Sequence, residues 1–311
     1  MKIYDVAVVG AGPAGITAAL YLARSGCSVL LYEQLAPGGQ ILLTENLENY
    51  PGFPTGIKGY ELADLFADHL KNTANIERPR GEVSSISGNA GEFKILSSGG
   101  QQENLAHTVI VCCGSRHRHL GLEDEERLIG RGVSYCALCD GNFYRGKPVA
   151  VAGGGNSALE ETLYLAKLVD KVHLIHRRDG FRGNKIYQDR IKELEDKVIV
   201  HLNSVITKLQ GKEYLESLVI HNTLTGLDET IPVDALFIYI GFTPETSFLP
   251  AEIARDNNGF IITDTEMRTN IPGIFAAGDI RAKQCRQVIT AAGDGATAAQ
   301  CAFIFLEQLH A

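Results

Sequence analysis

The chain has 311 residues, which is long enough for two domains that each bury a hydrophobic core. With 37 acidic against 29 basic residues its formal net charge is −8 at pH 7, so neither nucleic acid nor an anionic membrane is expected as its main partner. Hydrophobic residues make up 45% of the sequence, but no uninterrupted apolar stretch approaches the roughly 18 residues of a membrane-spanning helix. We expect a cytoplasmic protein without a membrane segment, since Asp5 also interrupts the N-terminal stretch that could resemble a signal peptide.

The first predicted elements form a dinucleotide-binding unit. A buried strand over residues 5–9 leads into Gly10-x-Gly12-x-x-Gly15, and an amphipathic helix follows. In this pattern Gly10 permits a tight turn, Gly12 lets backbone amides approach a pyrophosphate, and Gly15 lets the helix pack closely on the strand.

The second strand of this unit, predicted over residues 28–32, ends at Glu33. A carboxylate at this point can accept hydrogen bonds from both hydroxyls of a bound ribose. No basic cluster accompanies it. The first site is therefore expected to hold FAD tightly.

Two of the seven cysteines, Cys136 and Cys139, have a spacing with chemical meaning. A Cys-x-x-Cys can be a redox pair, half of a zinc site, or chance. A zinc site needs two further ligands, and the nearest candidates, His117 and His119, lack the usual spacing. We expect no metal. The nucleotide-binding units on both sides of the pair favour a redox function.

The second unit begins with a strand over residues 149–152 and continues as Gly153-Gly-Gly155-Asn-Ser-Ala158. Ala158 replaces the third glycine, a substitution that this fingerprint tolerates. The distance from the first glycine to the end of the second strand is 23 residues in both copies, which align without a gap at an offset of 143 residues.

The repeat extends beyond the fingerprints. Each half has a further predicted helix, at about 59–72 and about 184–196, then a turn-rich meander. Each meander leads to a strand that ends in glycine, at 108–114 and 235–241. These elements predict an α/β fold with two Rossmann-like, three-layer nucleotide-binding domains.

The two copies differ where the second strand ends. In place of Glu33 the second copy has His176, Arg177 and Arg178, with Arg182 close behind. Guanidinium groups pair well with a phosphate, so the second site is predicted to bind NADPH through its 2′-phosphate. The alternative is a solvated basic patch.

A third ligand-binding segment is predicted near the C-terminus. Residues 273–277 are typical of a strand, and Gly278 and Asp279 follow it. The Asp279 carboxylate could accept hydrogen bonds from the ribityl hydroxyls of FAD, although an aspartate in a turn at a strand end is the alternative.

Taken together, these motifs resemble those of bacterial low-molecular-weight thioredoxin reductases, and the resemblance covers essentially the whole chain. Order and spacing make the set highly specific. The matching stretches are Gly10–Gly15, Pro37–Gln40, Glu48–Gly52, Cys136–Gly141, Gly153–Asn156, His176–Arg182, Gly278–Asp279 and Arg286–Val288.

The resemblance implies an FAD domain formed by residues 1–116 and 246–311, with an NADPH domain that carries the redox disulfide inserted at 117–245. It implies an NADPH-dependent thioredoxin-disulfide reductase that passes electrons through FAD and the Cys136–Cys139 pair to thioredoxin or a thioredoxin-like protein. It also implies a homodimer that meets its partner transiently.

The same resemblance implies which residues form the sites. Cys139 is assigned to the flavin side of the disulfide, and Asp140 is assigned as a general acid, although an aspartate capping a surface helix is the alternative for Asp140. The candidate FAD contacts are Gly10, Gly12, Pro13, Ala14, Gly15, Glu33, Gln34, Gly38, Gly39, Gln40, Asn49, Val83, Gly114, Gly278, Asp279, Arg286, Gln287 and Val288. The candidate NADPH contacts are Gly153, Gly155, Asn156, Ser157, Ala158, His176, Arg177, Arg178 and Arg182.

Cys112 and Cys113 depart from the usual pattern of the family, which has Ala-Thr at this point. Adjacent residues on a strand point to opposite faces, which disfavours pairing between the two sulfurs. We expect buried small side chains, with an auxiliary redox pair as the alternative. Leu138, Asn142 and Gly183 are further departures.

Three other functions remain open. A flavin disulfide reductase could take its electrons from ferredoxin, although the basic cluster after residue 175 argues against that donor. The reductase of a peroxide-reducing system typically carries an additional N-terminal dithiol domain. A redox sensor without catalytic activity could retain the fold.

Overall fold

A computed structural model describes residues 2–44, 46–47, 49–71, 73–79, 81–97 and 101–310, with the main chain alone at 43, 46 and 310. Glu48, part of one matching stretch, lies outside the described residues. The chain divides into two compact units. The first comprises Met1–Thr44, Ile57–Arg116 and Thr243–Ala311, and the second comprises Glu45–Gly56 and His117–Phe242.

The secondary structure is as follows. The α-helices are α1 (Pro13–Arg24), α2 (Gly59–Lys71), α3 (Glu125–Leu128), α4 (Ala137–Asp140), α5 (Asn156–Leu165), α6 (Lys185–Lys192) and α7 (Val288–His310). The strands are β1 (Ile3–Val9), β2 (Val29–Tyr32), β3 (Asn46–Leu47), β4 (Ile57–Lys58), β5 (Ile76–Glu77), β6 (Val83–Asn89), β7 (Glu92–Ser97), β8 (Gln102–Val111), β9 (Ser115–His117), β10 (Val133–Ser134), β11 (Pro148–Gly153), β12 (Lys171–Ile175), β13 (Val198–His201), β14 (Ser204–Gln210), β15 (Ser217–Asn222), β16 (Asp228–Pro232), β17 (Ala235–Tyr239), β18 (Phe242–Pro244) and β19 (Ile274–Ala276).

The unit boundaries differ from the predicted domains in two places. Residues 45–56, predicted in the FAD domain, belong to the second unit because β3 lies against α4. Residues 243–245, predicted in the NADPH domain, belong to the first unit. Two of the four points at which the chain passes from one unit to the other fall within β9 and β18.

The first unit is built on a parallel sheet with the strand order β5-β2-β1-β8-β19. Helices α1 and α7 cover one face through Val6, Val8 and Ile110. The antiparallel strands β6 and β7 extend from β8, and Phe93 and Ile95 pack on the opposite face. Two apolar layers therefore enclose the sheet, as expected for near-continuous runs of buried β-branched residues.

The second unit repeats this plan. Its parallel sheet has the order β10-β17-β11-β12-β13, and its three antiparallel strands β14, β15 and β16 form a separate sheet. One core lies between Val149, Val151 and α5, and the other lies between Ala150 and the antiparallel strands. The predicted α/β fold is confirmed.

The two copies differ in how they complete the repeat. In the first copy, the single long strand β8 pairs both with the antiparallel strand β7 and with the parallel strand β1. In the second copy two strands are used: β16 pairs with the antiparallel strand β15, and β17 pairs with the parallel strand β11. The predicted helix over 184–196 ends at Lys192, because Leu194 N–H bonds to Ile191 O in a tighter turn.

Helix α7 is long and apolar enough over Val288–Leu309, with a mean hydropathy of 1.3, to cross a membrane by length and composition alone. Its small residues instead face α1, and Ala298 and Ala302 are fully buried in the core that both helices share. A Cβ on Gly295 would lie 2.1 Å from the carbonyl oxygen of Ala14. The backbones of α1 and α7 are therefore in close contact.

Gly295→Ala should destabilise the protein by about 1–3 kcal/mol, because the added methyl forces α7 away from α1. Gly293→Ala on the same helix is the matched control, since a Cβ there meets no atom of the described residues within 4 Å. It should add up to about 1 kcal/mol of stability through helix propensity. Denaturant unfolding of both variants measures the difference, and equal midpoints would contradict the packing argument.

Candidate active site

The first fingerprint loop joins β1 to α1 and contains Gly10, Gly12 and Gly15. Gly10 has φ of +102°, and a Cβ there would lie 2.6 Å from the carbonyl oxygen of Cys112. A Cβ on Gly15 would lie 1.8 Å from the carbonyl oxygen of Gly10. Around Gly12 the space is open, with only Gly39 Cα within 4 Å of a Cβ built there. The loop therefore leaves room for a ligand beside Gly12.

Glu33 closes the loop from the end of β2. Its Oε2 accepts a hydrogen bond of 2.9 Å from Ala11 N–H, and its Oε1 accepts one of 3.1 Å from Leu35 N–H. An open cleft of about 350 Å³ lies beside this carboxylate. The residues that line the cleft include Ala11, Glu33, Leu35, Pro37, Arg78 and Pro79.

The predicted turn at Gly38–Gln40 also lies at this loop. Gly38 has φ of +127°, and its N–H donates to Ala11 O at 2.8 Å. Gln40 Nε2 donates to Ser115 O at 3.2 Å, which ties the turn to the end of the parallel sheet. Gly114, with φ of +67°, stands next to that residue.

Asp279 is a half-buried acid of the first unit. It follows β19, and burial raises the pKa of its carboxyl to about 6. Its Oδ1 has no hydrogen-bond partner among the described residues, and Lys283 Nζ is 3.9 Å away. A buried acceptor without a donor fits a ligand hydroxyl at this point.

Asp294 was missed by the sequence analysis. Its Oδ2 accepts hydrogen bonds from Gly278 N–H at 3.1 Å and Lys283 Nζ at 2.9 Å, and Arg281 Nη1 lies 2.9 Å away. This carboxylate on α7 fixes the turn that carries Asp279. Its position depends on the α1–α7 packing, for which a single sequence gives no signal.

The remaining FAD candidates lie at other points. Gln34 is exposed after β2, and Val83 is buried at the start of β6. Arg286, which lies over the ring of Phe260 at 4.3 Å, precedes Gln287 and Val288 at the start of α7. Asn49 belongs to the second unit, so its predicted flavin contact stays a prediction.

The second fingerprint joins β11 to α5. A Cβ on Gly153 would lie 2.6 Å from the carbonyl oxygen of Tyr239 and 2.7 Å from the Cβ of Ala158, so this turn is as tight as the first. A Cβ on Gly155 would meet no atom of the described part of the chain within 4 Å. Asn156 and Ser157 begin α5, and Asn156 Oδ1 accepts a hydrogen bond from Asn184 N–H at 2.7 Å.

The predicted basic cluster meets this loop. Arg182 N–H donates to Gly154 O at 2.8 Å, and the His176 ring packs directly on Gly154. Burial lowers the pKa of His176, whose Nε2 has no hydrogen-bond partner within the described chain.

The three arginines of this cluster are exposed. None forms an ion pair with a described carboxylate. Their charge is therefore available to an anionic ligand, as a 2′-phosphate requires. The three exposed arginines are Arg177, Arg178 and Arg182.

Cys136 and Cys139 form a disulfide at the N-terminus of α4. Cys139 is buried, whereas Cys136 is half-buried. Cys139 N–H points at Cys136 Sγ at 3.2 Å. An N–H at a helix N-terminus stabilises a thiolate, so the geometry suits Cys136 as the more reactive sulfur after reduction.

Two hydroxyl groups that the sequence analysis missed hold the start of α4. Ala137 N–H donates to Tyr239 Oη at 2.6 Å, and Cys136 N–H donates to Ser134 Oγ at 3.1 Å. Ser134 Oγ also donates to Asp140 Oδ2 at 2.6 Å. Ser134 stands only two residues before the cysteine pair, which is the one signal that could have drawn attention to it.

The other cysteines and histidines considered above have structural surroundings. Cys112 and Cys113 are free thiols that lie just past the end of β8 at Val111, not on the strand as predicted. Cys112 packs in one core of the first unit and Cys113 packs against the other, and burial raises the pKa of Cys113 to about 12. His117 stacks between Tyr135 and Phe242, with ring centroids 4.7 and 4.4 Å apart. In the described ranges, no three His, Cys, Asp or Glu side chains are placed to hold a metal ion.

Both nucleotide sites fit the cofactors predicted for them. The first combines the open space at Gly12, the cleft beside Glu33 and the orphaned oxygen of Asp279. The second combines the open space at Gly155 with exposed arginines. Each is a helix N-terminus at the carboxyl edge of a parallel sheet, where a pyrophosphate binds.

Comparison with known proteins supports the same interpretation. The family model described as pyridine nucleotide-disulphide oxidoreductase matches residues 4–295. The thioredoxin reductase of Listeria innocua serovar 6a is 44% identical over 309 residues, which is 99% of this chain and 95% of that protein. That of Treponema pallidum (strain Nichols) is 42% identical over 310 residues, or 99% and 98% of the two chains. The crystal structure of thioredoxin reductase from Streptococcus pyogenes MGAS5005 superposes with a TM-score of 0.89 at 44% identity, covering 98% of this chain and 99% of that one.

Glu161 on α5 is a half-buried acid that the sequence analysis missed. Burial raises the pKa of its carboxyl to about 7, with a contribution from Glu160. Its Oε2 has no hydrogen-bond partner among the described side chains and backbone. A raised pKa means that the folded state holds this proton between about pH 4.5 and 7, whereas the unfolded state releases it. Stability therefore falls as pH rises through this window.

Glu161→Gln should remove that dependence. At pH 8 the variant should be more stable than the parent by up to about 3 kcal/mol, since each unit of pKa is worth 1.36 kcal/mol. Below about pH 4.5 the variant and the parent should have equal stability. Denaturant midpoints between pH 4 and 8 measure the effect, with the exposed Glu160→Gln as the control, and parallel curves for E161Q and the parent would contradict it.

Proposed function

The chain belongs to the pyridine nucleotide-disulphide oxidoreductase family, and from that membership we propose that it reduces the disulfide of thioredoxin or a thioredoxin-like protein. It is an NADPH-dependent flavoprotein oxidoreductase, and its cofactors are FAD and NADPH. One observation carries the proposal: the Cys136–Cys139 disulfide lies at a helix N-terminus in the unit that also holds the second fingerprint.

The binding roles divide between the two units. The fingerprint from Gly10 to Gly15, with Glu33 and Asp279, would hold FAD in the first unit. The fingerprint from Gly153 to Ala158, with the arginines that follow β12, would hold NADPH in the second. When bound, FAD accepts two electrons as hydride from NADPH and returns them to a disulfide.

The chain's own residues carry out the exchange with the partner. The thiolate of Cys136, stabilised by Cys139 N–H, attacks the disulfide of the partner. Cys139 then attacks the mixed disulfide, which closes the pair again and releases the partner as a dithiol. Asp140 supplies or removes the protons that these steps require.

We further propose a cytoplasmic homodimer that engages its partner transiently and binds neither nucleic acid nor membrane. The negative net charge supports the exclusion of nucleic acid. The contacts between α7 and α1 support the exclusion of a membrane span. The dimer rests on the family resemblance.

Arg177→Ala/Arg178→Ala should weaken the binding of NADPH without affecting the binding of NADH, because only NADPH carries the 2′-phosphate. The KM for NADPH should rise at least about 10-fold, since charge-assisted hydrogen bonds contribute about 1.5–3 kcal/mol each. Lys208→Ala, which removes an exposed charge from β14, should leave both KM values unchanged. An electron donor other than a nicotinamide would be indicated if neither nucleotide bleached the flavin of the parent enzyme anaerobically.

Cys136→Ser should abolish turnover with thioredoxin, because serine forms no disulfide. Reduction of the flavin by NADPH should persist at a similar rate, since the nucleotide sites are intact. Stopped-flow absorbance and thioredoxin turnover measure the two steps separately. If turnover with thioredoxin survived this change, the Cys136–Cys139 pair would have no role in the reaction.

A further inference from the structure

Ser134 is the last residue of β10 and is 5% exposed. Its hydroxyl has three hydrogen-bond contacts within the redox segment, of which the longest, 3.4 Å, is to Cys136 O. It accepts from Cys136 N–H at 3.1 Å and donates to Asp140 Oδ2 at 2.6 Å. A single buried hydroxyl thus joins the backbone of one cysteine to the proposed proton donor.

The bond to Asp140 has the geometry of a strong interaction. An O–H donor to a carboxylate at 2.6 Å is charge-assisted and roughly twice as strong as a neutral hydrogen bond. Asp140 N–H also bonds to Cys136 O at 3.0 Å, so the backbone of Asp140 is tied to Cys136 and its carboxylate to Ser134.

The position of β10 makes this arrangement possible. β10 pairs with β17 at the edge of the parallel sheet, with Ser134 beside Phe237. The chain leaves the sheet at Ser134 and turns directly into α4. Ser134 is therefore anchored by the sheet, while Asp140 lies at the end of a single helical turn.

We propose that Ser134 is the positioning residue for Asp140: it fixes the orientation of the carboxylate within the redox segment while a proton is moved to and from sulfur. The inference deepens the proposed function and rests on it. In the exchange, the Asp140 carboxylate takes the proton of the Cys136 thiol as the thiolate forms. The resulting acid then donates the proton to the thiolate that leaves the partner's disulfide. One S–S bond forms as another breaks, so electrons and protons both balance.

Tyr239 supplies a matched comparison. Its hydroxyl accepts the N–H of Ala137, the residue next to Cys136, at 2.6 Å. Ser134→Ala and Tyr239→Phe thus each remove a hydroxyl acceptor from the start of α4. Only Ser134→Ala also removes the hydrogen bond to the Asp140 carboxylate. If Ser134 only held the start of α4, the two variants should lower kcat with thioredoxin to the same extent.

The test is a pair of double-mutant cycles on the intact FAD enzyme. The variants are Ser134→Ala, Tyr239→Phe and Asp140→Asn, the two doubles with Asp140→Asn, and Ser134→Thr. We expect Ser134→Ala to lower kcat with thioredoxin about 10-fold at unchanged KM for NADPH, and Ser134→Thr to restore it by keeping the hydroxyl. Ser134→Ala/Asp140→Asn should match Asp140→Asn within about 2-fold, since coupled residues are not additive.

Two results would overturn the inference. One is a Ser134→Ala/Asp140→Asn double that loses a further 10-fold beyond Asp140→Asn. The other is a Tyr239→Phe cycle that shows the same coupling to Asp140. If the parent enzyme did not reduce thioredoxin, the proposed function would fail. The role of Ser134 would then be decided by the rate at which NADPH generates titratable thiols at Cys136 and Cys139.

Discussion

Both units depend on one steric constraint: the helix after each fingerprint begins so close to the sheet that no side chain fits between them. A Cβ on Gly15 would lie 1.8 Å from Gly10 O, and a Cβ on Gly153 would lie 2.7 Å from the Cβ of Ala158. This contact directs the N–H groups at the start of each helix to the carboxyl edge of a parallel sheet. Because the middle glycines face open space, the same backbone yields two nucleotide sites.

The difference between the copies lies in charge and not in backbone. At the end of β2, Glu33 binds the fingerprint loop through Ala11 N–H, which leaves a carboxylate beside the cleft. At the end of β12 the His176 ring takes the place against the loop, and Arg177 and its neighbours extend outward. A carboxylate would repel a 2′-phosphate and arginines would attract it, so the proposed division of the two cofactors between the units follows from this one point in the sequence.

Local pattern was sufficient to predict the repeat, both fingerprints and the redox pair, because each depends on residues close together in the sequence. The long-range contacts were not predictable in this way. The orphaned carboxyl of Glu161 depends on what packs over α5, and the role of Asp294 depends on how α7 meets α1. The assignment of 45–56 to the second unit depends on β3 meeting α4, a contact between segments about 90 residues apart. Periodicity and spacing carry no information on such contacts.

Tyr239 links the nucleotide site to the disulfide. Its carbonyl oxygen limits Gly153, so only glycine fits the first turn of the fingerprint, and its hydroxyl binds Ala137 N–H at the start of α4. The pairing of β17 with β11 places Tyr239 beside Gly153, and its pairing with β10 places Ser134 beside Phe237, two residues before Tyr239. The redox pair is therefore not an appendage on a flexible loop. The same sheet that carries the second fingerprint also sets the place of the two sulfur atoms and of the Asp140 carboxylate.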